Sequence, residues 1–322
     1  MKKIISLLLF FISFAIHSQE VANSKEKSLN EYELSLQQLC KKLYNSKTDA
    51  EKTAYNQQLL LELEKALNHP NSFGFPFDSI KKDIHILDAE DGKFRIINWD
   101  LPKENGTIEY CGFIQSKHTL KEKKKKTNII QLYPLIDKSL EIKNPDNYVS
   151  DNKKWLGMWY YRIITKKYKF KTYYTLLAWD GNDNYSQKKI IDVLTFDANG
   201  TPRFGADIFN YQKKFPKRVI FEYSATCNMS LKYSAKKDSI VFDHLAPTQP
   251  LLEGQFQYYC TDMSYDGFGF KKGKWNYGAD INAINEKDEK DKLYNNPKKL
   301  KNDENTHESD LIIKIVKRKK EN

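Results

Sequence analysis

From residue 28 to residue 67 the apolar positions recur every three or four residues, and over most of 94 to 277 they recur every second residue. That change of period predicts helices first and strands afterwards. Ser28 with Glu31 forms an S-x-x-E capping box ahead of Leu29, Tyr32, Leu36, Leu39 and Leu43. Thr48 with Glu51 repeats the signature ahead of Tyr55, Leu59, Leu60, Leu63 and Leu67. The break at 45 to 48 makes an antiparallel helical hairpin the natural reading, each helix with one core-facing stripe. NHPNSFGFP at 68 to 76, with two prolines and a glycine, ends the helical region.

Beyond it, FRIINW (94 to 99), TIEYCGFIQ (107 to 115) and NIIQLYPLI (128 to 136) read as strands. Pro134 places the third on a sheet edge or ends it, and the lysine-rich 117 to 127 between the second and third reads as an exposed loop. In TYYTLLAWD the alternate residues Tyr173, Thr175, Leu177 and Trp179 face one side while Tyr174, Leu176 and Ala178 face the other. Both sides are apolar, which predicts a strand covered on both faces, with 190 to 196 as its antiparallel partner. Further strands are expected at 219 to 224, 229 to 233, 239 to 244, 255 to 258 and 268 to 277. The segment from 155 to 278 holds 27 of the 43 aromatic residues, so the main core belongs there.

The fold class is therefore α+β: an N-terminal helical hairpin followed by a predominantly antiparallel β meander, sandwich-like or barrel-like. The expected organisation is a signal peptide at 1–18, the hairpin at 19–72, a β-rich domain at 73–284 and a charged flexible tail at 285–322. Lys2 and Lys3 precede an apolar run from Ile4 to Ile16, too short to span a bilayer, with small residues at its end. This predicts export to the periplasm or the exterior and a mature chain without a transmembrane span.

Composition changes this picture little. The formal net charge of +11 is concentrated in part in KEKKKK (121 to 126) and KRKK (317 to 320), and basic runs of this kind read as solvated segments. Nucleic acid is not expected as a partner of an exported protein; a glycan or an envelope component is the candidate partner, favoured if anionic. Cys40, Cys111, Cys227 and Cys260 have no CxxC spacing. Export permits disulfides, and Cys227 with Cys260 is the preferred pair, against four buried free thiols.

The chain has no G-x-S-x-G, H-E-x-x-H, Walker A or G-x-G-x-x-G motif. Asp180, Asp183, Asp192, Asp197, Glu222, Asp243, Asp262 and Asp266 are the acids in or beside the aromatic strands. Five of them, at 180, 183, 197, 262 and 266, fall where turns favour Asp, while Asp192 and Glu222 read as the solvent side of their strands. Asp180, Asn182 and Asn184 begin like a calcium loop, but Tyr185 and Ile191 stand where Gly and Glu are needed. No metal and no cofactor is expected, and the DGNDN turn reads as a strand connection. The catalytic candidates are Asp243 with its neighbour His244, and Asp192; the binding candidates are Trp155, Trp159, Trp179 and Trp275, which if exposed would form a sugar-stacking platform.

TYYTLLAWDGN, KKIIDVLTFDANGTPRFGADIF, KRVIFEYSA and SIVFDHLAP resemble blocks in a group of uncharacterised exported bacterial proteins, over roughly residues 90 to 280. The resemblance implies an exported β-rich domain and transfers no site residue. The expected function is a non-enzymatic extracytoplasmic binding or envelope-associated protein; the alternative is an exported hydrolase of glycans or peptides.

Overall fold

The computed structural model describes residues 27–122 and 125–281, with the side chains of 118–128 left aside. The chain divides into two compact units, with the boundary between Lys82 and Asp83. The first unit is the helical hairpin, α1 (Leu29–Asn45) and α2 (Asp49–Asn68). Both capping boxes form: the Ser28 and Thr48 hydroxyls accept from the backbone N–H groups of Glu31 and Glu51, whose carboxylates reach back to the cap residues. Leu36, Cys40 and Leu43 of α1 and Leu59, Leu63 and Leu67 of α2 are buried, which is the stripe expected from the spacing.

Among the described residues, the second unit has fifteen strands. The first four are β1 (His85–Asp88), β2 (Phe94–Pro102), β3 (Ile108–Glu122) and β4 (Lys125–Ile136). They form an antiparallel meander in sequence order, and β4 lies on an edge and runs past Pro134 to Ile136. The lysine-rich segment is not a loop. The pairing of β3 with β4 continues out to Glu122 opposite Lys125, so the lysines belong to the end of a long hairpin. Charge hid the strands there, because a lysine-rich run shows no apolar alternation to read.

The chain continues through β5 (Ser150–Asp151), β6 (Trp159–Tyr168), β7 (Lys171–Asp180), β8 (Ser186–Phe196), β9 (Pro202–Phe204) and β10 (Phe209–Asn210). It ends with β11 (Val219–Ser224), β12 (Leu231–Ser234), β13 (Ser239–Pro247), β14 (Tyr259–Lys271) and β15 (Lys274–Gly278). A second sheet has the order β5-β9-β8-β7-β6, with β11 also paired to β8. A third has the order β10-β15-β14-β13-β12. The 255 to 258 segment is a short 3-10 turn, Phe256–Tyr258, rather than a strand.

The second sheet is the middle layer. Leu176, Ala178, Ile190 and Leu194 on one face pack with Phe94, Ile96, Tyr110 and Ile114 of the first sheet. Leu177, Ile191 and Val193 on the other face pack with Ile240, Phe242, Phe268 and Trp275 of the third. Strand alternation thus sends neighbours in β7 and β8 into two different cores, which explains why both faces of β7 are apolar. A disulfide joins Cys227, before β12, to Cys260 in β14, with Cα atoms 5.7 Å apart; Cys40 and Cys111 are buried. No helix among the described residues is long and apolar enough to cross a membrane. The expected signal peptide and the tail beyond Ile281 lie outside the described residues.

Candidate functional site

The cavity with the most developed chemistry opens between the first and middle sheets, with a volume of about 930 Å³. Strand register makes its floor. Asp180 of β7 stands opposite Lys188 of β8, and Lys188 stands opposite Glu222 of β11. Residues directly opposite across antiparallel strands share a face, so the three form one row. Ala178, Ile190 and Ile220 form the next row on that face, and Ile190 and Ile220 also line the cavity. Asp180 and Glu222 are two strand spacings apart, about 9–10 Å between backbones.

The turn after β7 holds this row in place. Tyr110, buried in β3, donates its hydroxyl hydrogen to Asp180 Oδ1 at 3.2 Å and accepts from the Gly181 N–H at 2.8 Å. A Cβ at Gly181 would meet Ile108 Cδ1 at 2.3 Å and Trp179 Cη2 at 2.9 Å, so a larger residue there would have to displace these side chains. Asn182 has a left-handed φ of 48°, a region Asn tolerates. Its amide oxygen accepts from Lys188 Nζ at 2.6 Å, and its amide nitrogen donates to Ser186 Oγ at 2.8 Å. Ser186 in turn donates to Glu222 Oε1 at 2.6 Å, and Lys188 Nζ lies 3.8 Å from Asp180 Oδ2. The result is a hydrogen-bonded row of acceptors around one ammonium group.

Seven carboxylates line the cavity, at 109, 137, 141, 146, 180, 183 and 222, against three lysines at 103, 138 and 188. Lys103 is paired with Glu109 at 2.7 Å and Lys138 with Glu141 at 2.8 Å. The lining is therefore acidic in a strongly basic protein, and a low-dielectric wall concentrates that field. Burial pushes the Asp180 carboxyl up; Lys188, the Asn182 N–H and the Tyr110 hydroxyl pull it back, and Asp137 adds to the rise. Burial also raises Asp146, against the pull of Arg218. Asp137 is fixed by the Tyr110 N–H at 3.0 Å and by Ser139. Leu140 and Phe256 are exposed apolar residues of the lining. No group of three or more His, Cys, Asp or Glu among the described residues is arranged to hold a metal ion.

The catalytic and binding candidates named from sequence lie elsewhere, while three of the eight strand acids, Asp180, Asp183 and Glu222, line the cavity. Asp192 is on the same face of β8 but wholly buried, with its Oδ1 3.1 Å from Arg218 Nε; it is not on the solvent side of its strand. Asp243 accepts from the Ser230 N–H at 2.7 Å and does not meet His244. A bulge between Asp243 and Leu245 turns His244 Nδ1 to Asp266 Oδ2 at 2.8 Å, which the Tyr277 hydroxyl also reaches at 2.7 Å. Asp266 is thus a buried strand residue rather than a turn acid. Asp183, Asp197 and Asp262 do make the local turn bonds expected of them.

Trp155 and Trp275 are wholly buried; their indole N–H groups donate to Tyr160 Oη and Thr175 Oγ1, both at 2.9 Å. Trp159 and Trp179 are half-buried and meet edge to face at 6.3 Å, so the four indoles form no platform. The DGNDN turn, read as a plain connection, supplies Asp180, Asn182 and Asp183 to the cavity, and Glu222 joins them from β11. Lys188 carried no signal of its own, since its role comes only from the register of β8 between β7 and β11. Compared with known proteins, the chain matches no family model, no curated protein and no solved structure.

Proposed function

We propose that the protein is an exported, non-enzymatic binding protein whose ligand occupies the cavity over the Asp180–Lys188–Glu222 row. The observation that carries this reading is the acidic, hydrogen-bonded lining of an open cavity in a basic chain. Fixed acceptors flanking one donor suit a ligand rich in hydroxyl and amino groups, the chemistry of an amino-sugar glycan fragment. Exposed Leu140 and Phe256 offer apolar surface to the faces of such rings. The Cys227–Cys260 disulfide supports export, because such bonds persist in oxidising compartments. Calorimetric titration with glucosamine oligosaccharides and neutral glucose oligosaccharides checks the reading. Asp180→Asn and Glu222→Gln should each weaken amino-sugar binding about tenfold or more, in line with losing a charge-assisted hydrogen bond. Full-strength binding by both variants would remove the cavity from the account.

One observation favours a second reading, an exported glycan hydrolase. A general acid needs a raised carboxyl facing a second carboxylate, and Asp180 and Glu222 flank the floor with the Asp180 carboxyl pushed up by burial. Bond cleavage by the purified protein that both variants abolish would replace binding by catalysis.

A further inference from the structure

Four turns of the β domain carry lysines, and two of them also carry exposed aromatics. They are residues 166 to 171 (KKYKFK), 207 to 217 (ending KKFPK), 236 to 238 (KKD) and 271 to 274 (KKGK). Contacts tie them into one surface. The Tyr168 ring packs so closely on Gly273 that an added Cβ would meet it at 2.4 Å. Lys274 Nζ sits 5.7 Å from the Phe215 ring centroid and donates to the Asp207 carbonyl at 3.2 Å. Lys166 pairs with Asp238, and Lys237 and Asp238 share a concavity of about 810 Å³ with Lys271, Lys272 and Lys274. The four turns hold twelve lysines against two aspartates, and each aspartate is already paired, Asp238 with Lys166 and Asp207 with Lys217.

Phe170 stands fully exposed, at 107 % of its reference area, between Lys169 and Lys171. Phe215 is 61 % exposed beside Lys214, and Tyr168 is 38 % exposed. Exposed phenyl rings at turn tips gain nothing from water. Set among lysines, they match a layer whose anionic headgroups face the ammonium groups and whose acyl boundary takes the rings. A hydrophilic anionic polysaccharide would use the charge and leave Phe170 bare.

We propose that this surface docks the protein on an anionic lipid membrane, with Phe170 and Phe215 at the headgroup–acyl boundary. This deepens the envelope association in the reading above without using the cavity, so Asp180→Asn with Glu222→Gln should leave membrane binding unchanged. The test is co-sedimentation of the full chain with phosphatidylglycerol/phosphatidylcholine vesicles and with phosphatidylcholine alone, with soluble alginate as the polysaccharide competitor. Binding should require phosphatidylglycerol. It should fall about a hundredfold in K169E/K271E/K272E, at roughly fivefold per lysine. F170S/F215S should lose at least tenfold, and the emission of a Phe170→Trp variant should shift to the blue on phosphatidylglycerol vesicles. Three results would each overturn the proposal: no vesicle binding alongside alginate binding, vesicle binding indifferent to F170S/F215S, or loss confined to a variant with the 317 to 320 basic run neutralised.

Discussion

At the scale of single residues, two of the catalytic candidates, Asp192 and His244, have different outcomes. Asp192 and Arg218 are both wholly buried, and Arg218 further donates to the carbonyls of Pro145 and Tyr148. Burial pushes the Asp192 carboxyl up, while the guanidinium and the Val193 N–H hold it down. Breaking such a pair strands a charge in the interior. Arg218→Met should therefore cost about 3–5 kcal/mol in urea unfolding, and Asp192→Leu with Arg218→Met should recover most of it. Recovery that failed to occur would show that the carbonyl contacts, not the ion pair, carry the stability. His244 behaves differently. The hydrogen bond to Asp266 raises its pKa, with Asp262 and Asp280 nearby adding to the rise and partial burial opposing it. A raised His contributes stability that is full below its unfolded pKa of about 6.5 and is lost as pH rises through the folded value. The melting temperature of His244→Asn should thus fall further below wild type at pH 5.5 than at pH 9, and an equal gap at both would contradict the pairing. Neither pairing was legible in sequence, since Arg218 is 26 residues from Asp192 and a bulge decides which acid His244 meets.

At the scale of elements, local signals were the ones that could be read. Each helix start was fixed by four residues within one turn, and β7, β8 and β11 of the middle sheet by strand-like runs of six or seven positions; the two- and three-residue strands β5 and β9 are too short to show a period. Signals failed where charge or glutamine replaced the apolar face, in the β3–β4 hairpin and at Phe256–Tyr258. The disulfide belongs to this scale, because it staples the approach to β12 to β14 across 33 residues. Closing a loop of that length removes about 3–4 kcal/mol of unfolded-chain entropy. Cys227→Ser with Cys260→Ser should lower unfolding stability by up to that amount without altering the far-UV circular dichroism. An unchanged denaturation midpoint would mean that the crosslink adds nothing to the folded domain.

At the scale of the β domain, three stacked sheets give the middle one two cores, and the cavity forms where its upper face meets polar rather than apolar rows. β7 reads as doubly covered from its own residues. That Asp180, Lys188 and Glu222 stand in one row does not, because it depends on two registers, one joining positions 8 residues apart and one joining positions 34 residues apart. Turn chemistry also masked the site: Asp180 and Asp183 satisfy the local bonds of a turn and line a cavity at once. The central claim is that this row binds a hydroxyl- and amino-bearing ligand, and a crystal structure of the protein soaked with a glucosamine oligosaccharide tests it most directly. The account predicts a sugar ring over Lys188, with its polar groups within hydrogen-bond distance of Asp180 and Glu222. An ordered oligosaccharide bound elsewhere, with the cavity holding only solvent, would contradict it.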